Sequence, residues 1–289
     1  MSTQDEPPLY LTPSTYVLDA HSDEEIVRLF VQNSTLEQYT GGLFSEQPDL
    51  SNVWDILDLG CGAGGWVVDV ARAYHRINVM GVDLSIHMIM YGRAQSLIHQ
   101  RENARFRLMN VLKPLDFPDQ SFDLVNGRFL CSFVPPTAWP DLLRECLRVT
   151  RPGGIIRLTE AEPAITNSPA CEQLNALGLQ ALRAAGLSFS PDGRHIGITP
   201  MLGPLLRQAG CQNVQSHARA LDYSRGMEAY YAMTDNYEFS LKIARPFLLK
   251  AGVLTGEAFD ALLQQAKVEM RSDDFCAIQF FLTTWGEKP

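Results

Sequence analysis

From residue 53 to about 160, short apolar runs alternate with amphipathic stretches, the pattern of β-α units laid into a parallel sheet. The apolar runs predict strands over 55–59, 78–82, 105–109, 122–126 and 155–159. Helical periodicity fills the gaps over 65–74, over 85–100 with Ser85 as N-cap, and over 137–150, where Pro152-Gly153-Gly154 closes the pattern. Ahead of this core, Ser22 and Glu25 fit a capping box, Ile26, Leu29 and Phe30 form an apolar stripe, and Gly41-Gly42 offers a stop, so an N-terminal helix is expected. Behind it the pattern predicts helices over 168–185 and 200–209, a loop over 191–199, and strands over 214–221 and 275–285. A mostly helical insert between those strands carries Tyr230, Tyr231, Tyr237, Phe239 and Phe247. The expectation is one α/β domain with a doubly wound sheet, divided into a cap (1–50), a core (51–165), the rest of the core (166–225), the helical insert (226–272) and a last strand (273–289).

Chemistry enters at residues 53–66, VWDILDLGCGAGGW, where a strand runs into a glycine-rich turn and then a helix. Gly60, Gly62 and Gly65 satisfy the dinucleotide pattern GxGxxG, so a nicotinamide-dependent oxidoreductase is one reading. The same residues satisfy a second template, an acidic residue two positions before three alternating glycines: Asp58, Gly60, Gly62, Gly64. Asp58 suits an ammonium group and repels a phosphate, which favours a ligand with a charged α-amino group and no pyrophosphate. Asp83, ending the second strand, can accept hydrogen bonds from both hydroxyls of a ribose, which either cofactor carries.

The combination of Asp58-Leu59-Gly60-Cys61-Gly62, Asp83-Leu84-Ser85, the FDLVNGRF stretch and Arg151-Pro152-Gly153-Gly154 resembles the class I S-adenosylmethionine-dependent methyltransferases, and among them the UbiE-like small-molecule enzymes. The resemblance covers 53–160 directly and extends to the tail FCAIQFFLTTWGEKP. It implies a Rossmann-like, seven-stranded sheet whose last strand slips in antiparallel between two others. It also implies S-adenosylmethionine as cofactor, with Gly60, Cys61 and Gly62 at the methionine portion, Asp83 at the ribose, and Leu84 and Met88 beside the adenine. Asn110 and Val111 would meet the adenine edge, with Asn126 and Gly127 completing the set. Two departures stand out. Asn110 occupies a position where many relatives carry Asp, and Asn126-Gly127-Arg128-Phe129 replaces the Asn/Asp-Pro-Pro-aromatic tetrad of amide and nucleobase N-methyltransferases.

Methyl transfer is an in-line displacement at a sulfonium, so positioning and desolvation can supply most of the acceleration. Residues beyond the carboxyl ends of the strands are the acceptor-side candidates: Arg128 after the fourth strand, Glu160 and Glu162 at the fifth, and His195 on a turn-rich loop. Tyr10, Tyr16 and Tyr39 could cover the site, and the N-terminal segment with the helical insert is expected to act as a lid. Trp66 reads as core. A non-catalytic binding module that keeps the fold is the reading from another class.

Composition narrows the partners. A formal charge of −9 disfavours nucleic acid, and Arg101, Arg105 and Arg107 read as solvated loop charges. The longest apolar runs, such as 278–282, fall far short of the roughly 20 residues a membrane helix needs. The polar, acidic N-terminus has no basic region followed by an apolar run, so a cytoplasmic protein is expected. Six scattered cysteines (61, 131, 146, 171, 211 and 276) include no metal-ligand spacing and read as small buried hydrophobes. A small molecule is the expected methyl acceptor.

Overall fold

In the computed structural model, which describes residues 23–39, 41–47 and 49–289, the chain alternates β and α through its first two thirds. The order is α1 (Asp23–Tyr39), β1 (Asp55–Leu59), α2 (Gly65–Ala73), β2 (Asn78–Asp83), α3 (Ile86–Ile98), β3 (Ala104–Leu108), β4 (Phe122–Arg128), α4 (Trp139–Val149) and β5 (Thr150–Ala161). There follow β6 (Ile165–Thr166), α5 (Pro169–Ala184), α6 (Leu202–Ala209), β7 (Gln212–Asp222), α7 (Tyr230–Lys250), α8 (Gly256–Met270) and β8 (Ala277–Glu287). The strands form one sheet in the order β3-β2-β1-β4-β5-β8, with β7 and the two-residue β6 both paired to β8. β1 to β5 are parallel, and β8 runs antiparallel between β5 and β7. The doubly wound sheet with its inserted antiparallel strand is therefore as the sequence implied; β6 is too short to leave a periodic signal.

Two element ends differ from the sequence reading. β5 begins five residues earlier than the apolar run, because Thr150 already pairs with Phe122; the register with β4 then shifts across Pro152-Gly153-Gly154, where Gly153 takes a φ of +74° and the chain is tied to Lys288. The Gly153 N–H donates to the Lys288 carbonyl, and the Lys288 N–H donates to the Gly154 carbonyl, each at 2.8 Å. α6 starts at Leu202, after a 3₁₀ turn over Thr199–Met201. The Ser85 cap is as expected, its hydroxyl accepting from the Met88 N–H; Ser168 caps α5 in the same way at Cys171, and Ser22 of the expected capping box lies outside the described residues.

Three apolar layers fix the sheet. On one face Ile56, Val67, Val70, Val79, Ile89 and Leu124 pack under α2 and α3. On the other, Leu57, Val125, Ile156 and Leu158 meet Leu143 of α4 and Leu206 of α6. A third layer joins α5, α7 and α8 with Leu36 of α1 and Phe281 of β8. Among the described residues no helix is long and apolar enough to cross a membrane.

Candidate functional site

The carboxyl ends of β1, β2 and β3 lie side by side, and each delivers one of the expected residues. Asp58 sits on β1 opposite Gly81 of β2 and Asn126 of β4. The strand then turns through Gly60 and Gly62 with φ of +60° and +53°, a left-handed conformation that L side chains rarely adopt. Within the turn the Cys61 N–H donates to the Val82 carbonyl at 3.0 Å, tying the loop to β2. Asp83 caps the arrangement: one carboxylate oxygen accepts from the Gly62 N–H at 3.0 Å, the other from the Ser85 N–H at 2.8 Å. From β3, Asn110 and the buried Val111 follow directly after the Met109 N–H, which donates to the Asp83 carbonyl. Leu84 is half-buried beside Asp83.

Asp58 is 2% exposed, and burial pushes its pKa from 3.8 up to about 6 against the pull of Arg128, Asn126 and Arg157. One of its oxygens accepts from the Asn126 amide at 2.7 Å, while the other has no hydrogen-bond partner among the described residues. Asn126 is itself fully buried and accepts from the Arg157 guanidinium at 2.7 Å, and Arg157 closes an ion pair with Glu46 in the segment after α1. Asn126 thus works on Asp58, fixing the carboxylate from the neighbouring strand. Gly127 points to the opposite face, where an added Cβ would come within 2.7 Å of Leu130. Asn110 spends its carbonyl oxygen on the Leu112 N–H at 2.9 Å and keeps its amide N–H groups unpaired among the described residues. The buried Cys61 thiol is pushed well up by desolvation, then by Asp83 and Asp58, so it stays protonated.

α1 lies over the glycine turn. An added Cβ on Gly62 would stand 3.1 Å from Leu29, and Ile26 packs with Ala63 and Met88, so Met88 is covered by this helix. Gly60 is needed for a different neighbour, Phe133, 2.9 Å from where a Cβ would be. Arg128 joins three elements: its guanidinium donates to Asn33 of α1 at 2.9 Å, rests over the Trp66 ring of α2, and faces Asp58. Asn33 passes the contact on to Asp69 of α2 at 2.8 Å. Burial brings the Arg128 pKa down to about 10, so it remains a cation.

The remaining candidates separate from this centre. Glu160 is fully buried beneath the turn after β4, accepting from the Cys131 N–H at 3.2 Å, with its second oxygen unpartnered. Desolvation raises its pKa from 4.5 to about 7. Glu162 accepts from the Ile196 and Gly197 N–H groups and the Thr199 hydroxyl, pinning the 191–199 loop. His195 on that loop is exposed. Tyr39 packs into the apolar layer of α7, and Tyr10 and Tyr16 lie outside the described residues.

A small, partly open cavity lies beyond Arg128, over the carboxyl ends of β4 and β5 and the adjoining parts of β8 and β7. Sequence patterning missed it, since it depends on Arg157, His217 and Arg219 from strands far apart in the chain. The one available signal was the charged residue 157 within the apolar run 155–158.

Residues 56–154 match the methyltransferase-domain family. Over longer stretches the chain is 26% identical to the N-methyltransferase gliN of Aspergillus fumigatus, covering 95% of this chain and 96% of the relative. It is 25% identical to the probable methyltransferase ltbC of Aspergillus luteorubrus, over 80% of this chain and 85% of that one. Among solved structures, YcgJ of Bacillus subtilis superposes with a TM-score of 0.53 at 14% identity, covering 90% of this chain and 99% of that one. The phosphoethanolamine N-methyltransferase 2 of Haemonchus contortus, solved with phosphomonomethylethanolamine and S-adenosylhomocysteine, reaches 0.55 at 17% identity over 94% of this chain and 58% of its own. At such identities the structural likeness speaks for the fold.

Proposed function

We propose that this chain, a class I S-adenosylmethionine-dependent methyltransferase, carries a methyl group to a small-molecule acceptor and holds its cofactor with Asp58, Asp83, Asn110 and the Gly60–Gly62 turn. One observation carries the assignment of these residues. Asp58, Asp83 and Asn110 converge at the ends of three adjacent parallel strands, and Asp58 and Asn110 keep unpartnered polar atoms there.

These groups fit the cofactor. A buried carboxylate with a free oxygen matches an α-ammonium group; Asp83, whose oxygens each retain acceptor capacity beyond the loop N–H groups, matches a ribose diol; and the free amide of Asn110 can donate to an adenine ring nitrogen. A pyrophosphate beside Asp58 would meet like charge, which disfavours a nicotinamide dinucleotide. S-adenosylmethionine supplies an electrophilic methyl on a sulfonium, so its transfer leaves a neutral thioether. The work of the protein is then to orient. Asn126 and Arg157 lock the Asp58 carboxylate, Asp83 holds the turn and the ribose side together, and Leu29 and Ile26 of α1 keep water from the turn. Above pH 6 Asp58 is ionised and ready to accept an ammonium. Arg128 stands on the acceptor side of this centre. Residues 1–50 with the 226–272 insert serve as its lid, a reading supported by the packing of α1 on α7 and by the Gln38 to Glu228 hydrogen bond.

The near full-length match to gliN puts nitrogen first among the acceptor atoms to test. A net charge of −9 supports a small molecule over nucleic acid, and six unpaired thiols support a reducing compartment such as the cytoplasm. The test is calorimetry with S-adenosylhomocysteine, NAD and NADP on wild type and Asp83→Ala. S-adenosylhomocysteine alone is expected to bind, and the substitution to weaken it by about 1.5–3 kcal/mol, the value of a hydrogen bond to a charged acceptor. Equal affinity in the two proteins would remove Asp83 from the site.

A further inference from the structure

The cavity beyond Arg128 has a charge pattern that the cofactor site does not explain. Its floor is set by cross-strand register: Arg128 of β4 pairs with Thr159 of β5, Thr159 with Thr283 of β8, and Thr283 with His217 of β7. One step along, Ala161 pairs with Phe281, and Phe281 with Arg219. The row of Asp58, Asn126 and Arg157 lies just below, so the cavity continues the cofactor end of the sheet sideways. Ligands of open α/β sheets gather beyond the carboxyl ends of the strands, and this is where the floor of the cavity lies.

Its charges sort into spent and unspent. Arg157 and Glu46 neutralise one another in a buried ion pair. Arg128 is compensated by Asp58, Asp69 and Glu37. Glu37 has its pKa raised by burial and then by neighbouring Asp69, and lies between Asp69 and Arg128. Arg219, half-buried in the cavity wall, has no carboxylate partner among the described residues. Leu36, Leu43, Phe129 and Phe281 give the same cavity its apolar lining. Phe129 reaches this lining from a left-handed backbone at φ +56°, a conformation costing a non-glycine residue about 1–2 kcal/mol and commonest at functional sites. Three strand spacings separate β4 from β7, about 14 Å at 4.8 Å each.

We propose that this cavity is the acceptor pocket and that the acceptor is an elongated, largely apolar molecule whose far end carries a carboxylate bound by Arg219. The proposal rests on the methyltransferase reading above. The apolar body lies over Phe129 and Phe281, and the end to be methylated points past Arg128 toward the Asp58 side.

The experiment is calorimetry on the full chain saturated with S-adenosylhomocysteine, using 6-phenylhexanoate and its neutral amide as probes. The acid is expected to bind at least tenfold more tightly than the amide. Arg219→Met should erase that preference and Arg219→Lys should keep most of it, with S-adenosylhomocysteine affinity unchanged in both variants, which also reports that they are folded. Equal binding of acid and amide, binding of neither, or a preference that survives Arg219→Met overturns the proposal while leaving the cofactor assignment intact. Failure of S-adenosylhomocysteine to bind wild type would instead overturn the underlying reading. A matched turnover arm, offering acid and amide pairs with methyl-labelled cofactor, should label acids in preference.

Discussion

Replacing Asp58 by Asn should make the ligand-free protein more stable and the cofactor complex weaker. Burial raises the Asp58 pKa from 3.8 to about 6 in the folded state, so the folded protein disfavours the ionised form. At about 1.4 kcal/mol per pKa unit, holding that carboxylate ionised at pH 7 costs about 3 kcal/mol relative to the unfolded chain. A group whose folded pKa lies above its unfolded value makes stability fall as pH rises between the two, here from about 4 to 6, with the full cost present above 6. Asn has the same shape, is uncharged, and can still accept from the Asn126 amide, so Asp58→Asn is expected to gain about 1–3 kcal/mol at pH 7. Wild type should recover about 1.4 kcal/mol of that difference by pH 5. The cofactor side has the opposite sign: without a carboxylate for the ammonium, S-adenosylhomocysteine should bind roughly 10- to 100-fold more weakly. Denaturant melts at pH 5 and 7, with and without ligand, read both effects. A less stable apo variant at pH 7, or unchanged ligand affinity, refutes the reasoning.

Two further outcomes are expected. Gly62→Val places a branched side chain at φ +53° and against Leu29, so it should abolish S-adenosylhomocysteine binding and lower stability by about 1–2 kcal/mol; adding Leu29→Ala should recover part of the stability, as a double-mutant cycle in denaturant will record. Glu160→Gln should abolish the fall in stability that wild type shows as pH rises from 4.5 to about 7, leaving the variant the more stable protein above pH 7, because the folded pKa of Glu160 is raised and its ionised form is disfavoured; identical pH profiles from 4 to 8.5 would refute the raised pKa.

The parallel half of the sheet was legible because its signals are local. Apolar runs gave β1 to β5 to within a few residues, apart from the early start of β5, and Ser85 announced its helix. The residues now proposed for the cofactor came from one loop and the next two strand ends, all within 53–111. What the sequence hid is non-local. Asn126, which the resemblance places in the cofactor set, instead spans β1 and β5 with its amide to hold Asp58, a role that no local pattern announces. Glu160 and Arg128, both nominated from strand ends, face opposite sides of the sheet, since Glu160 lies under the turn after β4 and Arg128 meets α1 and α2. Strand periodicity gives alternation, and only the register of β7 and β8 brings Arg219 and His217 into line with Arg128.

The cover over the glycine turn is joined mostly by grease. Ile26 and Leu29 press on Ala63, Met88 and Gly62, while polar ties of α1 to the sheet and α2 run through Asn33 and through Glu37, which meets Asp69 and Arg128. A closure of that composition has a thermal signature. Its strength grows on warming from the cold and fades on cooling, and it leaves a negative heat-capacity change when the helix seats on a filled site. Cofactor retention in this protein should therefore respond more to temperature than to ionic strength, and a chilled sample should exchange its spent cofactor more freely than a salted one.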